Sequence, residues 1–574
     1  MRATKLIHKP NLKKAANLED YAIANRNFSY DEYTKELVWF DKEHINAAYN
    51  AITRNALSER KNKIALYFLS KDLEKEKFTF LEADELSNKV GNYLKSKGID
   101  RENRVFLFLP RIPALYFSFL GILKIGAVAG TLFSAFGPQA LFDRLDQSDA
   151  KAIITTKELL PRVKEVQKDL PHLKQIFVVD DGYWDEVQKQ SSELKCALTS
   201  AEDDAFMLYT SGTTGKPKGV VHRHKAILHE YLTAKWILDI QEDDVYWCTA
   251  DPGWVTGIAY EILGSWANGA STVVYEGRFN PDAWYTIIQD YNVTVWYTAP
   301  TAIRLLAAQG IDTVKKYELS SLRHLASVGE PLNPDPIYWG LKAFNLPFHD
   351  NYWQTETGGI IIANYPSVPI KPGSMGKPFP GIKVHIVDDE SRELEPGKTG
   401  RLTLEPTWPS LMKKLWRRPQ KYESYLTKLK GSNKKLYITG DLAYKDNDGY
   451  IWFVGRDDDV IKTAGERVGP FEVESALVSH PDIIEAGVIG KPDQIRGSII
   501  KAFIVLKKGV EDSEAKRKEI SQYVKKNLAG HAYPREIEVM DRLPKTRSGK
   551  IVRRVLKARE LGQEVGDTST LEKY

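Results

Sequence analysis

The sequence has little cysteine. Only Cys196 and Cys248 occur in a chain of 574 residues. A lone pair so placed is neither a disulfide framework nor a zinc site, and it suits a reducing cytoplasm. Cys248 lies in the apolar run VYWCTA, where a free thiol is expected to be buried and inert. An excess of either charge is also missing. Lys and Arg number 81 against 76 Asp and Glu, for a formal charge of +5. With no dense Lys/Arg tract, nucleic acid is not an expected partner. The first eighteen residues carry Arg2, Lys5, Lys9, Lys13 and Lys14 but no apolar run of the kind a secretory leader needs. Lys exceeds Arg there and Ser is absent, which disfavours a transit peptide. One stretch, residues 114–136, approaches the length of a membrane span. Lys124 breaks it, as do Gly121, Gly126 and Gly130, and a central Lys costs about 2.5–3.5 kcal/mol on insertion scales. The stretch reads as a buried helix that ends at glycine and enters a buried strand, so no membrane is expected either.

The chain is too long for one compact core, and three or four units of domain size are expected. Thirteen Trp and twenty-eight Tyr suit aromatic-walled pockets, although a large core accounts for most of them. Residues 1–60 read as a polar, partly helical lead-in. From about 64 to 300, apolar β-type runs (IALYF, RVFLFLP, AIITT, IFVVD, TVVY, VTVWYT) alternate with amphipathic segments such as LSNKVGNYLKSKG. That alternation predicts an α/β fold with largely parallel sheets. After about 380, turn dipeptides increase and strands shorten, which predicts an antiparallel, barrel-like β subdomain. From about 460 a small α+β unit is expected. It has helices near residues 471–480 and 514–528, strands at EAGVIG, IKAFIVL and IEVM, and a basic final helix. The acidic triplet Asp457, Asp458, Asp459 just before it reads as a linker or as a solvated turn.

The most informative segment is LYTSGTTGKPKG, residues 208–219. An apolar strand runs into a loop of small hydroxyl residues and glycines: Thr210, Ser211, Gly212, Thr213, Thr214 and Gly215. Their amides and hydroxyls are free to bond phosphate oxygens, and Lys216 and Lys218 add charge. The spacing is not the Walker A pattern, which places four residues between its first Gly and the Gly-Lys pair. A flexible surface turn is the bland alternative, and a hydroxyl-glycine-lysine loop directly after a buried strand argues against it.

With that loop the chain resembles the adenylate-forming superfamily: acyl-CoA synthetases, luciferases and peptide-synthetase adenylation domains. The likeness spans nearly the whole chain. YWQTETGG (352–359), YITGDLA (437–443), GRDDDVIKTAGERVGPFEVES (455–475) and PKTRSGKI (544–551) follow in the family's order. TADPGWVTG (249–257), SVGEPLNP (327–334) and KPGSMGKP (371–378) are similar to the branch that activates short acids. The resemblance implies a large N-terminal domain (residues 1–455), a hinge (456–459, at Asp458) and a mobile C-terminal domain (460–574). It implies an enzyme that joins AMP from ATP to a carboxylic acid, acetate first among them, and passes the acyl group to coenzyme A. ATP, Mg2+ and coenzyme A are the implied cofactors. The alternatives are a ligase for propionate or another short or medium-chain acid, and an enzyme that loads a carrier protein.

Residue by residue, the resemblance gives Tyr352 the adenine to stack on, Thr355 the α-phosphate, and Glu356 the metal, for which a hard carboxylate oxygen suits phosphate-bound Mg2+. Gly329, Glu330 and Pro331 form a wall of the adenine pocket, with Asp350 and Gln354 in the same nucleotide site. Asp441 and Arg456 take the ribose and Arg467 a phosphate. Trp254, Val255, Thr256, Gly257 and Val328 line the acid pocket. Trp353 closes its floor, where relatives that take longer acids carry a small residue. Lys550 follows a Ser-Gly turn and supplies charge at the reacting oxygens. A lysine acetyltransferase and deacetylase acting on Lys550 are the implied regulatory partners, since acetylation removes that charge. Ala464 and Gly465 lie beside the coenzyme A channel, and Arg496 is a candidate for its phosphate. Taken alone, each has an ordinary reading: Glu356 a surface carboxylate, Asp441 a turn cap, Arg456 half of an ion pair, Trp353 core, Lys550 basic surface and Arg496 a solvated side chain.

Overall fold

The structure, a computed structural model, describes residues 6–8, 13–210, 217–463, 466–493, 496–528, 532–546, 551–565 and 571. Two large, mainly parallel sheets carry the body of the chain. In the nine-stranded sheet, six parallel strands run in the order Phe348–Tyr352, His324–Ser327, Val295–Thr298, Val245–Cys248, Ser271–Tyr275 and Ile64–Leu69. Short antiparallel strands extend both edges. The seven-stranded sheet has a parallel core of Asp204–Thr210, Val128–Phe133, Arg104–Leu109, Ala152–Thr155 and Gln175–Val178. Lys218–Arg223 and Lys414–Leu415 add to it antiparallel. These are the apolar runs of the sequence. They are continuous rather than alternating because helices cover both faces of parallel sheets.

The hydrophobic stretch at 114–136 is the helix Pro113–Lys124 followed by the strand Val128–Phe133, both buried within the body. Lys124 ends that helix with its ammonium donating to Asp84 Oδ1 at 2.6 Å and Asn88 Oδ1 at 2.7 Å. Burial lowers its pKa, and Asp84 opposes the shift. Gly126 supplies the positive φ, +76°, on which the chain turns into the strand. Among the described residues no helix is long and apolar enough to cross a membrane. Cys248 is buried, and burial pushes its thiol up to about 12.

The reading of residues 1–60 as a polar lead-in needs correction. Ile45, Ala47, Ala48, Ala51 and Ile52 belong to the main hydrophobic core, and the intervening Asn46, Asn50 and Asn55 are buried with them.

The strands Val384–Val387, Gly400–Leu404, Lys435–Lys445, Leu426–Lys428 and Ile451–Arg456 form a five-stranded antiparallel sheet. Residues 457–459 turn the chain out of its last strand. The small unit that follows pairs Ile483–Asp493 with Gly497–Leu506 antiparallel, and the latter with Glu536–Val539 parallel. Helices Pro470–Val478, Glu514–Asn527 and Arg553–Leu561 pack on it. Phe471 meets Phe453 at 5.7 Å, and Ser475 Oγ lies 3.3 Å from Asn333 Oδ1.

Candidate active site

The motifs converge where the carboxyl ends of the parallel strands face the five-stranded sheet, the position at which open α/β sheets bind ligands. Strand Phe348–Tyr352 delivers the loop that begins at Trp353. The loop is held tight by Gln354 N–H donating to Thr357 Oγ1 at 2.9 Å and Thr357 N–H donating to Gln354 O at 3.1 Å. Across from it, the strand Lys435–Lys445 presents Tyr437, Thr439 and Asp441. Asp441 is buried, and its Oδ2 accepts the Tyr352 hydroxyl at 2.5 Å and Gln354 Nε2 at 2.8 Å. Its Oδ1 faces Arg456 Nη1 at 3.3 Å, from the neighbouring strand on which Arg456 is its register partner. Gln354 is the hub. Its Nε2 also donates to Thr439 O at 2.9 Å, and its Oε1 accepts the Tyr437 hydroxyl at 3.1 Å. Burial, and then the Asp441 charge, raises the Tyr352 hydroxyl well above its ordinary value. Burial works against the Arg456 charge, but Asp441 and Asp458 outweigh it and its pKa is raised.

The hydroxyl-glycine loop is anchored at both ends. Thr210 ends one strand and stands opposite Lys218, the first residue of the next. Ser211, Gly212, Thr213, Thr214, Gly215 and Lys216 lie outside the described residues. Lys218 Nζ is 3.4 Å from the Tyr425 hydroxyl, and burial, then the Lys421 charge, lowers its pKa. Tyr425 in turn stacks on Tyr437 at 5.9 Å. The loop's exit is thereby tied to the strand that carries Asp441. Burial raises the Glu356 carboxyl against the pull of Lys218 and Arg456, and no ion pair engages that carboxylate among the described residues.

A third wall comes from residues 327–334. Val328 is buried, with its N–H donating to Thr298 O at 3.1 Å. The Glu330 carboxylate accepts Thr301 Oγ1 at 2.8 Å and pairs with Arg304 at 2.8 Å. Gly329 and Pro331 flank it. Asp350, one strand over, is buried. Its Oδ2 accepts a long bond from Leu332 N–H at 3.4 Å, and burial pushes its carboxyl well up. Thr301, Arg304, Tyr437 and Thr439 join the site without a motif signal of their own. Tyr437 and Thr439 stand in YITGD beside Asp441, and their alternate positions on one strand are the signal that places them there.

Residues 254–257 build the candidate acid pocket beside this wall. Trp254 meets Phe133 edge-on at 4.7 Å, and Val255 and Thr256 are buried. At Gly257 a Cβ would come within 2.5 Å of Pro252 Cα, so the backbone passes where no side chain fits. The chain then enters the π-helical turn Gly257–Leu263. Its Tyr260 ring stands perpendicular to the Trp353 ring at 5.1 Å, and the Tyr260 hydroxyl accepts Ile360 N–H at 2.7 Å. Trp353 is therefore joined to the element that continues the 254–257 wall.

In the small unit, Arg467 lies on the strand Glu466–Val468, opposite Lys462. Asp458 is exposed and accepts Arg456 Nε at 3.4 Å. Arg496 occupies the turn before strand Gly497–Leu506, its backbone N–H on Asp493 Oδ1 at 2.8 Å. Ala464, Gly465 and Lys550 fall outside the described residues. His480, Asp482 and Glu519 also converge there. Lys516 already bridges the two carboxylates at 2.9 and 2.7 Å, so the group reads as an ion-pair cluster.

Comparison with known proteins places this geometry in a family. Residues 53–416 match the AMP-binding enzyme family and residues 472–550 match the AMP-binding enzyme C-terminal domain; the two matches fall on either side of Asp458. The chain belongs to the AMP-binding enzyme family. It is 53% identical to the acetyl-coenzyme A synthetase of Bacillus subtilis (strain 168), over 98% of this chain and 99% of that one. It is 42% identical to the acetyl-coenzyme A synthetase of Methanothrix thermoacetophila, over 93% and 86%. Among solved structures it is similar to the anthranilate CoA ligase AuaEII in complex with anthranoyl-AMP, with a TM-score of 0.84, 31% identity and coverage of 93% of this chain and 99% of that one. An acyl-CoA synthetase of Brucella canis matches with a TM-score of 0.72, 33% identity and coverage of 95% and 99%.

Proposed function

We propose that this enzyme is an acetate–CoA ligase that works through an acetyl-adenylate. The acetate carboxylate attacks the α-phosphorus of ATP, the bond to the β-phosphate oxygen breaks and pyrophosphate leaves. The coenzyme A thiol, losing its proton, then attacks the acyl carbon, and AMP departs with the bonding electrons. The relatives named as acetyl-coenzyme A synthetases support the reaction. The observation that carries the choice of acid is Trp353, whose ring stands edge-on to Tyr260 beside the 254–257 wall. There it would close the floor of the pocket and leave room for one or two carbons. Excluding one methylene gains a pocket only about 1–3 kcal/mol, so propionate is a poorer substrate rather than an excluded one.

In this reading adenine stacks on Tyr352, between it and the wall of Gly329, Glu330 and Pro331, with Gln354 and Asp350 alongside. Asp441 and Arg456 hold the ribose, and Thr355, Arg467 and the loop from Thr210 to Lys216 hold the phosphates. Glu356 fits a phosphate-bound Mg2+: its carboxylate is a hard oxygen donor free of an ion pair among the described residues, and Mg2+ takes one or two protein carboxylates beside the phosphates. When bound, that ion neutralises phosphate charge. Lys550 supplies charge to the acid and α-phosphate oxygens in the first half-reaction. The small domain, residues 460–574, then turns about the hinge at 456–459, centred on Asp458. Ala464 and Gly465 come to the coenzyme A channel, with Arg496 toward a coenzyme A phosphate. Acetylation of Lys550 would stop the first half-reaction, and the cytoplasm is the compartment that fits.

The test is AMP release from MgATP and coenzyme A with acetate, propionate, butyrate and octanoate. Acetate first, propionate weaker and the others near background is the expected order. Preference for butyrate or octanoate would overturn the pocket assignment. No coenzyme A-dependent turnover with any acid would turn the reading to a carrier-protein acceptor.

A further inference from the structure

The acid pocket rests on a buried carboxyl that none of the family motifs contains. Glu261 follows Tyr260 on the π-helical turn and is fully buried. Its Oε2 accepts the Tyr116 hydroxyl at 2.8 Å, while its Oε1, also buried, has no partner among the described residues. Tyr116 belongs to the helix Pro113–Lys124, so this single bond ties the π-turn to a helix of the other large sheet. Adjacent residues of the turn thus reach two different elements: Tyr260 meets Trp353 and Glu261 meets Tyr116. A π-turn accommodates one residue more than an α-helix would, and such turns recur at functional sites.

The groups facing the carboxyl come from four segments. Tyr116 approaches from the helix and Arg111 from the segment before it; Asp251 lies on the loop that opens the pocket wall; Cys248 and Tyr246 belong to strand Val245–Cys248. Arg111 donates to Thr249 O at 3.3 Å and Gly277 O at 3.5 Å and makes no ion pair with Glu261, although its charge is felt there. Burial raises the Glu261 carboxyl to about 8, with Arg111 and Tyr116 opposing and Asp251 adding to the rise. A leucine would fill the space without desolvating an acid. What the carboxyl adds is direction, an acceptor aligned on one hydroxyl.

We propose that Glu261 is a positioning residue for the acid pocket: anchored on Tyr116, its carboxyl fixes the π-helical turn that follows residues 255–257 and so holds the Tyr260 ring against Trp353. The proposal rests on Trp353 being the pocket floor. It gives the enzyme a specificity determinant outside the pocket lining. It also predicts that ionising Glu261 loosens the pocket, because a charged carboxylate with one unpartnered oxygen is poorly tolerated there.

The experiment compares Glu261→Gln, Glu261→Leu and Tyr116→Phe in the full-length enzyme. Pyrophosphate exchange is followed with acetate, propionate and butyrate, and melting curves check folding. Loss of one buried hydrogen bond predicts an acetate KM raised about tenfold in Glu261→Leu and in Tyr116→Phe. The ATP KM stays within about twofold, and the propionate-to-acetate ratio of kcat/KM rises. The double variant Glu261→Leu/Tyr116→Phe is no worse than the worse single, because both remove one interaction. In the wild type, acetate kcat/KM falls as pH passes through about 8, and Glu261→Gln abolishes that fall. An unchanged acid profile in folded Glu261→Leu, an equal loss for ATP and acetate, or a Glu261→Gln pH profile matching the wild type would each overturn the proposal. Where Glu261→Leu does not fold, the Glu261→Gln pH profile decides. Trp353→Gly is run alongside. If it shifts acid preference and the Glu261 variants do not, the proposal falls and the floor stands. If neither shifts it, both fall.

Discussion

Replacing Trp353 with glycine is the sharpest test of the acid pocket, and its size can be worked out. In the wild type the indole stands edge-on to Tyr260 at 5.1 Å, and a second or third methylene would have to displace it. The expected penalty for the first extra carbon is about 1–3 kcal/mol, roughly 10–200-fold in kcat/KM. Without the indole, each methylene entering the vacated space gains about 0.8 kcal/mol of burial, close to fourfold. Butyrate, two methylenes beyond acetate, should then exceed it by about fifteenfold, and hexanoate by roughly two hundredfold if the space holds four. Acetate itself should lose about fourfold, the burial of a single methyl group. Kinetics across a homologous series of acids, by pyrophosphate exchange, reads the slope directly. The aromatic contact is also lost, and large-to-small core substitutions of this kind cost up to about 3–5 kcal/mol. Melting curves must therefore accompany the rates, and Trp353→Ala separates the lost side chain from the added backbone freedom of glycine. A variant that folds, keeps its ATP KM and still ranks the acids as the wild type does would refute the floor assignment and return Trp353 to ordinary core packing.

Lys550→Ala should cut acetyl-adenylate formation by at least about 100-fold while leaving thioester formation from supplied acetyl-adenylate near the wild-type rate; equal loss of both half-reactions would refute two separable states. Asp441→Asn leaves Arg456 without its buried carboxylate and makes half of the acceptor a donor. Losing a hydrogen bond to a charged group costs about 1.5–3 kcal/mol, so ATP affinity by calorimetry should fall roughly 10–150-fold with the acetate KM unchanged, and an unaltered ATP affinity would remove Asp441 from the nucleotide site. Glu230 is a prediction in stability alone. It is fully buried, neither carboxyl oxygen has a partner among the described residues, and burial raises its pKa well above 4.5. The unfolded chain ionises this group as pH rises past about 4.5 and the folded chain does not, so it costs stability increasingly from there upward. Glu230→Met should melt higher than the wild type, with a gap wider at pH 8 than at pH 5; a constant or reversed gap would refute a protonated Glu230.

The parts of the fold visible in the sequence are those whose signal is local. Parallel strands buried on both faces read as unbroken apolar runs, and the antiparallel subdomain and the small α+β unit announced themselves by turn dipeptides and shorter strands. The site was legible as fragments for the same reason. Residues 208–219, 352–359 and 437–443 each carry their own pattern. The bonds that join them do not, because Tyr352 and Asp441 stand 89 positions apart and no spacing rule encodes which strands become neighbours.

What escaped the sequence has a common physical cause: polar residues in places where their partners are backbone groups or distant side chains. Residues 1–60 read as a polar, partly helical lead-in, and Asn46, Asn50 and Asn55 are among its polar residues. Those amides are buried and donate to main-chain carbonyls: Asn46 to Leu123 at 2.8 Å, Asn50 to Val38 at 2.9 Å and Asn55 to Trp266 at 2.8 Å. Asn46 and Asn55 stitch the lead-in to helices it covers and Asn50 ties the lead-in to itself, which an apolar residue cannot do. Lys124 shows the same principle from the other side. Its charge counts against a membrane span, and it ends in the core, where Asp84 and Asn88 accept its ammonium. Glu230 and Glu261 differ in that burial leaves one or both of their oxygens without a partner among the described residues. A buried polar residue with all its bonds made explains itself as architecture. One with an oxygen to spare among the described residues, beside the proposed acid pocket, calls for a reason beyond packing, and that is why Glu261, which matches no motif, is the position where the proposed specificity is most worth probing.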